Sequence, residues 1–118
     1  MNKRKIGKMY EDFVINFLQH SGYGLVTRNY CVRGGEIDLI MIDPSGQLVF
    51  VEVKGRKDSQ YCLPETSLNY KKITRLKYAV WKYLEKEKVY DDNFRIDLIV
   101  CEGVYQVDIR HYKGVVTL

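Results

Sequence analysis

Asp38, Glu52 and Lys54 are the residues of this chain whose types and spacing suit a reaction. They stand in Gly35-Glu36-Ile37-Asp38 and Glu52-Val53-Lys54, two segments that read as strands joined by one tight turn. Two carboxylates brought together with an ammonium on one face of a hairpin repel each other unless a cation or a proton joins them, which suits a metal or catalytic site. The same residues can also be no more than the ion-paired end of a sheet, with Lys54 neutralising Glu36 or Glu52. The strand composition weighs on the side of chemistry. Ile40, Ile42, Leu48 and Phe50 continue the charged face as apolar positions, so both faces of the hairpin need cover, and carboxylates under cover are costly to desolvate. Spacing alone leaves both alternatives open.

The turn sets the register. Asp43-Pro44-Ser45-Gly46 has an Asp at the first position, Pro at the second and Gly where a left-handed backbone is needed, which suits a type I turn closed by a glycine bulge. A loop of residues 44–46 pairs Asp43 with Gln47, then Ile42 with Leu48, Ile40 with Phe50 and Asp38 with Glu52. Strands are expected over 36–42 and 47–54. Alternation places Lys54 on the carboxylate face opposite Glu36, and Ile37, Leu39, Met41, Val49, Val51 and Val53 on the other.

These strands need helices to cover them. From Ile6 to about His20 the apolar residues Ile6, Tyr10, Phe13, Val14, Phe17 and Leu18 recur at helical spacing, and Ser21-Gly22 ends the run. Glu11 lies at the border of that stripe, in line with Ile15 and Leu18. A solvated glutamate is the ordinary use of such a position; it joins the site if the helix packs over the mouth of the hairpin. Leu25 to Tyr30 reads as a strand, and Arg33-Gly34-Gly35 turns it into the hairpin. Thr66 or Ser67 can cap a second helix, whose stripe of Ile73, Leu76, Ala79, Val80, Tyr83 and Leu84 runs to about Lys88. Phe94 to Cys101 and Val104 to Ile109 read as two further strands. The order is helix, three strands, helix, two strands, an α/β arrangement with a mixed sheet flanked by helices.

Composition bounds the rest. A chain of 118 residues with 46% hydrophobic content is one domain, 1–118, with one core. Its net charge of +4 permits a polyanionic partner without demanding one. Three widely spaced cysteines, Cys31, Cys62 and Cys101, fit reduced thiols in the cytoplasm. No apolar run approaches a membrane span, and the basic start precedes an amphipathic stretch, so neither a membrane nor an export signal is expected. In the second helix Lys71, Arg75, Tyr78 and Lys82 share one stripe. A solvated basic face is the plain interpretation, yet with Arg56 and Lys57 these residues can line a groove that grips phosphates.

Taken in order, Glu11, Arg28-Asn29, Gly35-Glu36-Ile37-Asp38-Leu39-Ile40, Phe50-Val51-Glu52-Val53-Lys54 followed by Arg56, Lys71, and Arg95-Ile96-Asp97 resemble the YraN family of small bacterial proteins, over nearly the whole chain. That family belongs to the restriction-endonuclease-like, or PD-(D/E)XK, superfamily and is similar to archaeal Holliday junction resolvases, whose acid, acid-x-lysine pattern is matched by Asp38 and Glu52-Val53-Lys54. Cys62 departs from the family, which often has glycine there ahead of the second helix. The resemblance implies a restriction-endonuclease-like αβββαβ core in which Glu11, Asp38, Glu52 and Lys54 converge. It further implies Mg²⁺ or Mn²⁺ held by Asp38, Glu52 and the Val53 carbonyl, with Glu11 in an outer or second-metal position and Lys54 activating water. Neither His20 nor His111 falls in the motif, and an all-oxygen set favours these hard ions over zinc. The expected activity is metal-dependent cleavage of DNA, structured or branched DNA in particular, by a chain that can act as a homodimer with the strand from Val104 to Ile109 as its seam. The alternatives are a catalytically silent nucleic-acid-binding module of the same fold and a small interaction protein with no nucleic-acid role.

Overall fold

The computed structural model describes residues 2–56 and 70–118. Helix α1 (Lys3–His20) starts where the Asn2 side chain accepts the Lys5 N–H at 2.8 Å, a capping bond that offsets one orphan donor of the first turn. Strand β1 (Gly24–Val32), strand β2 (Gly35–Ile42) and strand β3 (Leu48–Arg56) follow, then helix α2 (Tyr70–Lys86), strand β4 (Phe94–Glu102) and strand β5 (Asp108–Val116). The five strands lie in sequence order in one sheet, antiparallel except for β3 and β4, which run parallel around the crossover that contains α2. This is the α/β, mixed-sheet arrangement anticipated from the sequence, with one helix on each face. Tyr10, Val14 and Leu18 of α1 pack on Leu39, Met41, Val49, Val51, Ile99 and Cys101. On the opposite face Leu76, Ala79, Val80 and Leu84 of α2 pack on Ile37, Ile40, Phe50 and Ile96.

The β2–β3 turn forms as its chemistry dictates. Gly46 donates to the Asp43 carbonyl and Asp43 to that of Gln47, both at 2.9 Å, while the Asp43 carboxylate takes the Ser45 and Gln47 amides. Gly46 has φ +91°, a left-handed angle only glycine adopts without cost. The resulting register is Ile42 with Leu48 and Ile40 with Phe50.

Three expectations need correction. Ile37 does not share a face with Leu39: it packs with Ile40 under α2, whereas Leu39 packs under α1. Side-chain alternation therefore skips a step at Asp38. The neighbouring strand does the same, since Arg28 reaches α1 and Tyr30 meets Tyr83 of α2, with Asn29 between them at φ +54°. Asparagine tolerates this region better than most residues, and its use here turns both strands over together. The second correction is β5, which spans Asp108–Val116 in place of Val104 to Ile109; Gly103 at φ +100° turns the chain first, and Tyr105 stands fully in solvent. The third is the end of α2. Lys88 at φ +55° with Val89 N–H on the Leu84 carbonyl closes the helix in a Schellman arrangement, so Lys86 ends it rather than Lys88. Thr66, Ser67 and Cys62 lie outside the described residues.

Candidate active site

The β2–β3 ladder ends at Leu39 and Val51, one step short of Asp38 and Glu52. Beyond that point the Asp38 side chain replaces a backbone partner: its Oδ2 accepts the Val53 N–H at 2.9 Å. The face switch at Asp38 thus turns a ladder position into a side-chain clamp on the strand that carries Glu52 and Lys54. Asp38, Val53 and Lys54 line a cleft of about 510 Å³ together with Tyr10 and Glu11 of α1 and Lys72 of α2. Four of the expected site residues, Glu11, Asp38, Glu52 and Lys54, are brought to this end of the sheet.

Their electrostatics are unequal. Glu52 is 3% exposed, and burial, followed by the charge of Asp38, pushes its carboxyl up to about 8, with Lys72 offsetting part of the rise. Two ionised carboxylates offer each other no donor. Glu52 Oε2 is buried with no hydrogen-bond partner among the described residues, and a proton shared with Asp38 is one way to satisfy it. Its other oxygen has Lys72 Nζ at 3.5 Å. Glu11 is raised as well, by burial first and by Asp38 second, against hydrogen bonds from Arg28 and Asn29 that lower it. Arg28 holds Glu11 at 3.3 Å and Asp12 at 2.8 Å. Among the described residues no group of three or more His, Cys, Asp or Glu side chains stands close enough to surround one ion; the carboxylates meet in pairs, Glu11 with Asp38 and Asp38 with Glu52.

Gly55 fixes the depth of the cleft. A Cβ there would lie inside the Tyr10 ring, so only glycine lets Tyr10 seat flat against β3, its hydroxyl 2.7 Å from the Gly103 carbonyl and 3.0 Å from that of Arg56. That seat sets the turn of α1 from which Glu11 projects.

The expected phosphate contacts divide. Lys71 is exposed at the start of α2. Arg75 is half-exposed with Glu36 at 3.8 Å, which also settles Glu36: it faces Arg75 of α2, not Lys54, because the ladder that would have opposed them has already ended. Arg56 is drawn inward, 3.3 Å from Glu102 and largely buried. Lys57 lies outside the described residues. Sequence reasoning gave no site role to Lys72, whose spacing marks it only as one base among several on α2, or to Arg28, which entered only with Asn29 as part of the family pattern.

A family model described as "Uncharacterised protein family UPF0102" matches residues 10–101. The chain belongs to this family. A UPF0102 protein of Carboxydothermus hydrogenoformans is 37% identical over 119 residues, covering 98% of each chain, and one of Burkholderia pseudomallei is 46% identical over 109 residues, covering 92% of this chain and 75% of the relative. Among solved structures, a repair endonuclease from Pyrococcus abyssi superposes with a TM-score of 0.51 at 19% identity, over 89% of this chain and 41% of that one. This UPF0102 protein thus shares its α/β fold with that endonuclease, of whose length it spans about two fifths. Among the described residues no helix is long and apolar enough to cross a membrane.

Proposed function

We propose that this UPF0102 protein is a divalent-metal-dependent nuclease that hydrolyses phosphodiester bonds of DNA, with structured or branched DNA as its preferred substrate. One observation carries the proposal: Asp38, half-buried, lines a cleft and acts on the buried carboxylate of Glu52 beside it, and one oxygen of Glu52 has no donor among the described residues. Like charges in that position are destabilising until a cation or a proton joins them. The donors are hard oxygens, which fits Mg²⁺ or Mn²⁺, with Asp38 and Glu52 as ligands and Glu11 as a contributor from α1. When bound, such an ion supplies Lewis acidity for a water nucleophile and for the phosphate charge. Lys54, lining the same cleft, positions the water and stabilises the developing negative charge. Lys71 and Arg75 of α2 hold flanking phosphates. The proposed setting is the cytoplasm, where nucleic acid is at hand and free thiols such as Cys31 and Cys101 stay reduced. A homodimer joined along the β5 edge would present two sites to a symmetric junction.

A second interpretation is favoured by Lys72. Its ammonium at 3.5 Å from Glu52 can stand where a cation would, leaving a binding module without catalysis. The decisive experiment incubates the protein with labelled duplex, flap and four-way junction DNA in Mg²⁺, in Mn²⁺ and in chelator, while Mn²⁺ binding is followed by calorimetry. Metal-dependent products that vanish in Asp38→Asn establish the nuclease. Binding of DNA with no product and no Mn²⁺ uptake establishes the module.

A further inference from the structure

Helix α2 carries six basic residues and one acid over Tyr70–Lys86. In the middle of that positive field Tyr78 and Trp81 stand 40% and 49% exposed, their ring centroids 6.0 Å apart with planes tilted by 54°. Large aromatics left half in water on a helix whose other face is fully packed contribute little to the core. They are held in place all the same. The Tyr78 ring rests against Gly34 and lines a shallow hollow with Arg33 and Thr74, and Lys82 Nζ lies 5.4 Å from the Trp81 centroid, within cation–π reach. Flat apolar faces ringed by cations match one kind of partner: a polyanion that also offers flat faces.

We infer that Tyr78 and Trp81 form a stacking shelf for unpaired bases of a nucleic-acid strand whose backbone runs along α2 from the candidate active site. The inference rests on the nuclease reading and names its substrate class, nucleic acid with a single-stranded segment beside the cut. The helix supplies the connection. Lys72, on the inward side of the helix, lies 3.5 Å from Glu52; on the outward side its neighbour Lys71 is followed one turn on by Arg75, and Trp81 stands about 15 Å along the axis from Lys71, a span of some four stacked nucleotides. Bases inside a duplex are already stacked and cannot use the shelf; flipped, frayed or single-stranded bases can, whatever their identity, because each has a π face.

The chain has a single tryptophan, so its emission reports on the shelf directly. The experiment titrates the full chain with single-stranded oligothymidylate and with a blunt duplex of equal length, in chelator to prevent cleavage. Oligothymidylate is expected to quench Trp81 and the duplex to leave it nearly unchanged. By anisotropy of labelled DNA, Trp81→Ala should bind the single strand roughly 5- to 100-fold more weakly and the duplex within about twofold of wild type, while Trp81→Phe restores most of the lost affinity. Circular dichroism melts establish that each variant is folded, and an unfolded Trp81→Ala leaves the wild-type quench and Trp81→Phe to decide. Duplex binding that persists with its salt dependence while oligothymidylate neither quenches nor discriminates Trp81→Ala overturns the shelf and leaves the nuclease reading standing. Failure to bind either DNA overturns both. Emission that changes with protein concentration alone, and not with DNA, makes the patch a self-association surface and overturns the shelf.

Discussion

Two clusters of charge sit on this sheet, one running from Asp97 to the β2–β3 turn and the other just past the end of the β2–β3 ladder, and they are built on opposite principles. At the β2–β3 turn every group is answered. Asp97, fully buried, accepts from Arg95 Nε at 3.1 Å, from His111 Nε2 at 2.7 Å and from the Gly114 N–H at 2.8 Å. Arg95 in turn reaches Asp43 and Gln47 at 2.6 Å and the Tyr23 hydroxyl at 2.8 Å. Past the end of the ladder Asp38 acts on Glu52, and Glu52 keeps a buried oxygen without a donor among the described residues. A saturated network has nothing left to offer a ligand and serves as a staple between β2, β4 and β5. An unsaturated pair is a standing demand for a cation or a proton.

The largest test of the contrast removes Asp97. Asp97→Ala strips Arg95 and His111 of their shared buried partner and should cost about 3–5 kcal/mol in urea unfolding, whereas Asp38→Asn, in the other cluster, should not destabilise at all in chelator. Next in size is activity. Asp38→Asn should lower metal-dependent cleavage at least about a hundredfold with DNA binding retained, and Lys54→Ala should lose rate while calorimetry still registers Mn²⁺.

A third test uses pH. Burial pushes the Asp43 carboxyl up, but hydrogen bonds from Ser45 and Arg95 and the Gln47 and Ser45 amides outweigh it and hold it well below the usual carboxylate range. The unfolded chain therefore binds the proton more readily, and the stability from Asp43 is present above about 4 and lost as pH falls further. Glu52 has the reverse sign. Its folded carboxyl, at about 8 against an ordinary 4.5, binds the proton more tightly than the unfolded one. That contribution is fully present below about 4.5 and is lost as pH rises through about 8. In chelator, melts from pH 5 to 8 should show wild type losing stability with pH, and Asp38→Asn flattening the decline by on the order of 1 kcal/mol, roughly 4 °C in Tm. A wild-type Tm that rises across this range would mean the pair is not strained.

The smallest effect concerns phosphate contacts. Lys71→Ala and Arg75→Ala should each reduce the slope of log affinity against log salt by about 0.7–0.9. Both slopes unchanged would move the groove elsewhere.

Much of this was legible in the sequence because it is local. Asp43-Pro44-Ser45-Gly46 fixes a turn, the turn fixes the register of Ile40 with Phe50, and the register carries Asp38 towards Glu52. The face switch was not legible, because nothing in the alternation of Ile37, Leu39 and Met41 announces that Asn29 and Asp38 turn over together. The Arg95 network was hidden for a different reason: it gathers residues 23, 43, 47, 95, 97 and 111, each an ordinary polar residue until tertiary packing removes water from all of them. Lys88 closing α2 in a left-handed conformation also went unseen, since lysine gives no such signal.

The seat of Tyr10 against Gly55 carries a consequence for the order in which the molecule comes into being. Its hydroxyl joins the first helix to carbonyls 46 and 93 residues away, so the piece that places Glu11 is anchored by some of the most distant partners the chain has. Closing such loops is entropically slow compared with forming the β2–β3 hairpin. On the ribosome, Asp38, Glu52 and Lys54 emerge and pair early, but Tyr10 gains its second anchor only after Gly103 has been synthesised. A growing chain therefore carries its carboxylate pair beside an unfinished cleft until β4 and the turn after it have been made.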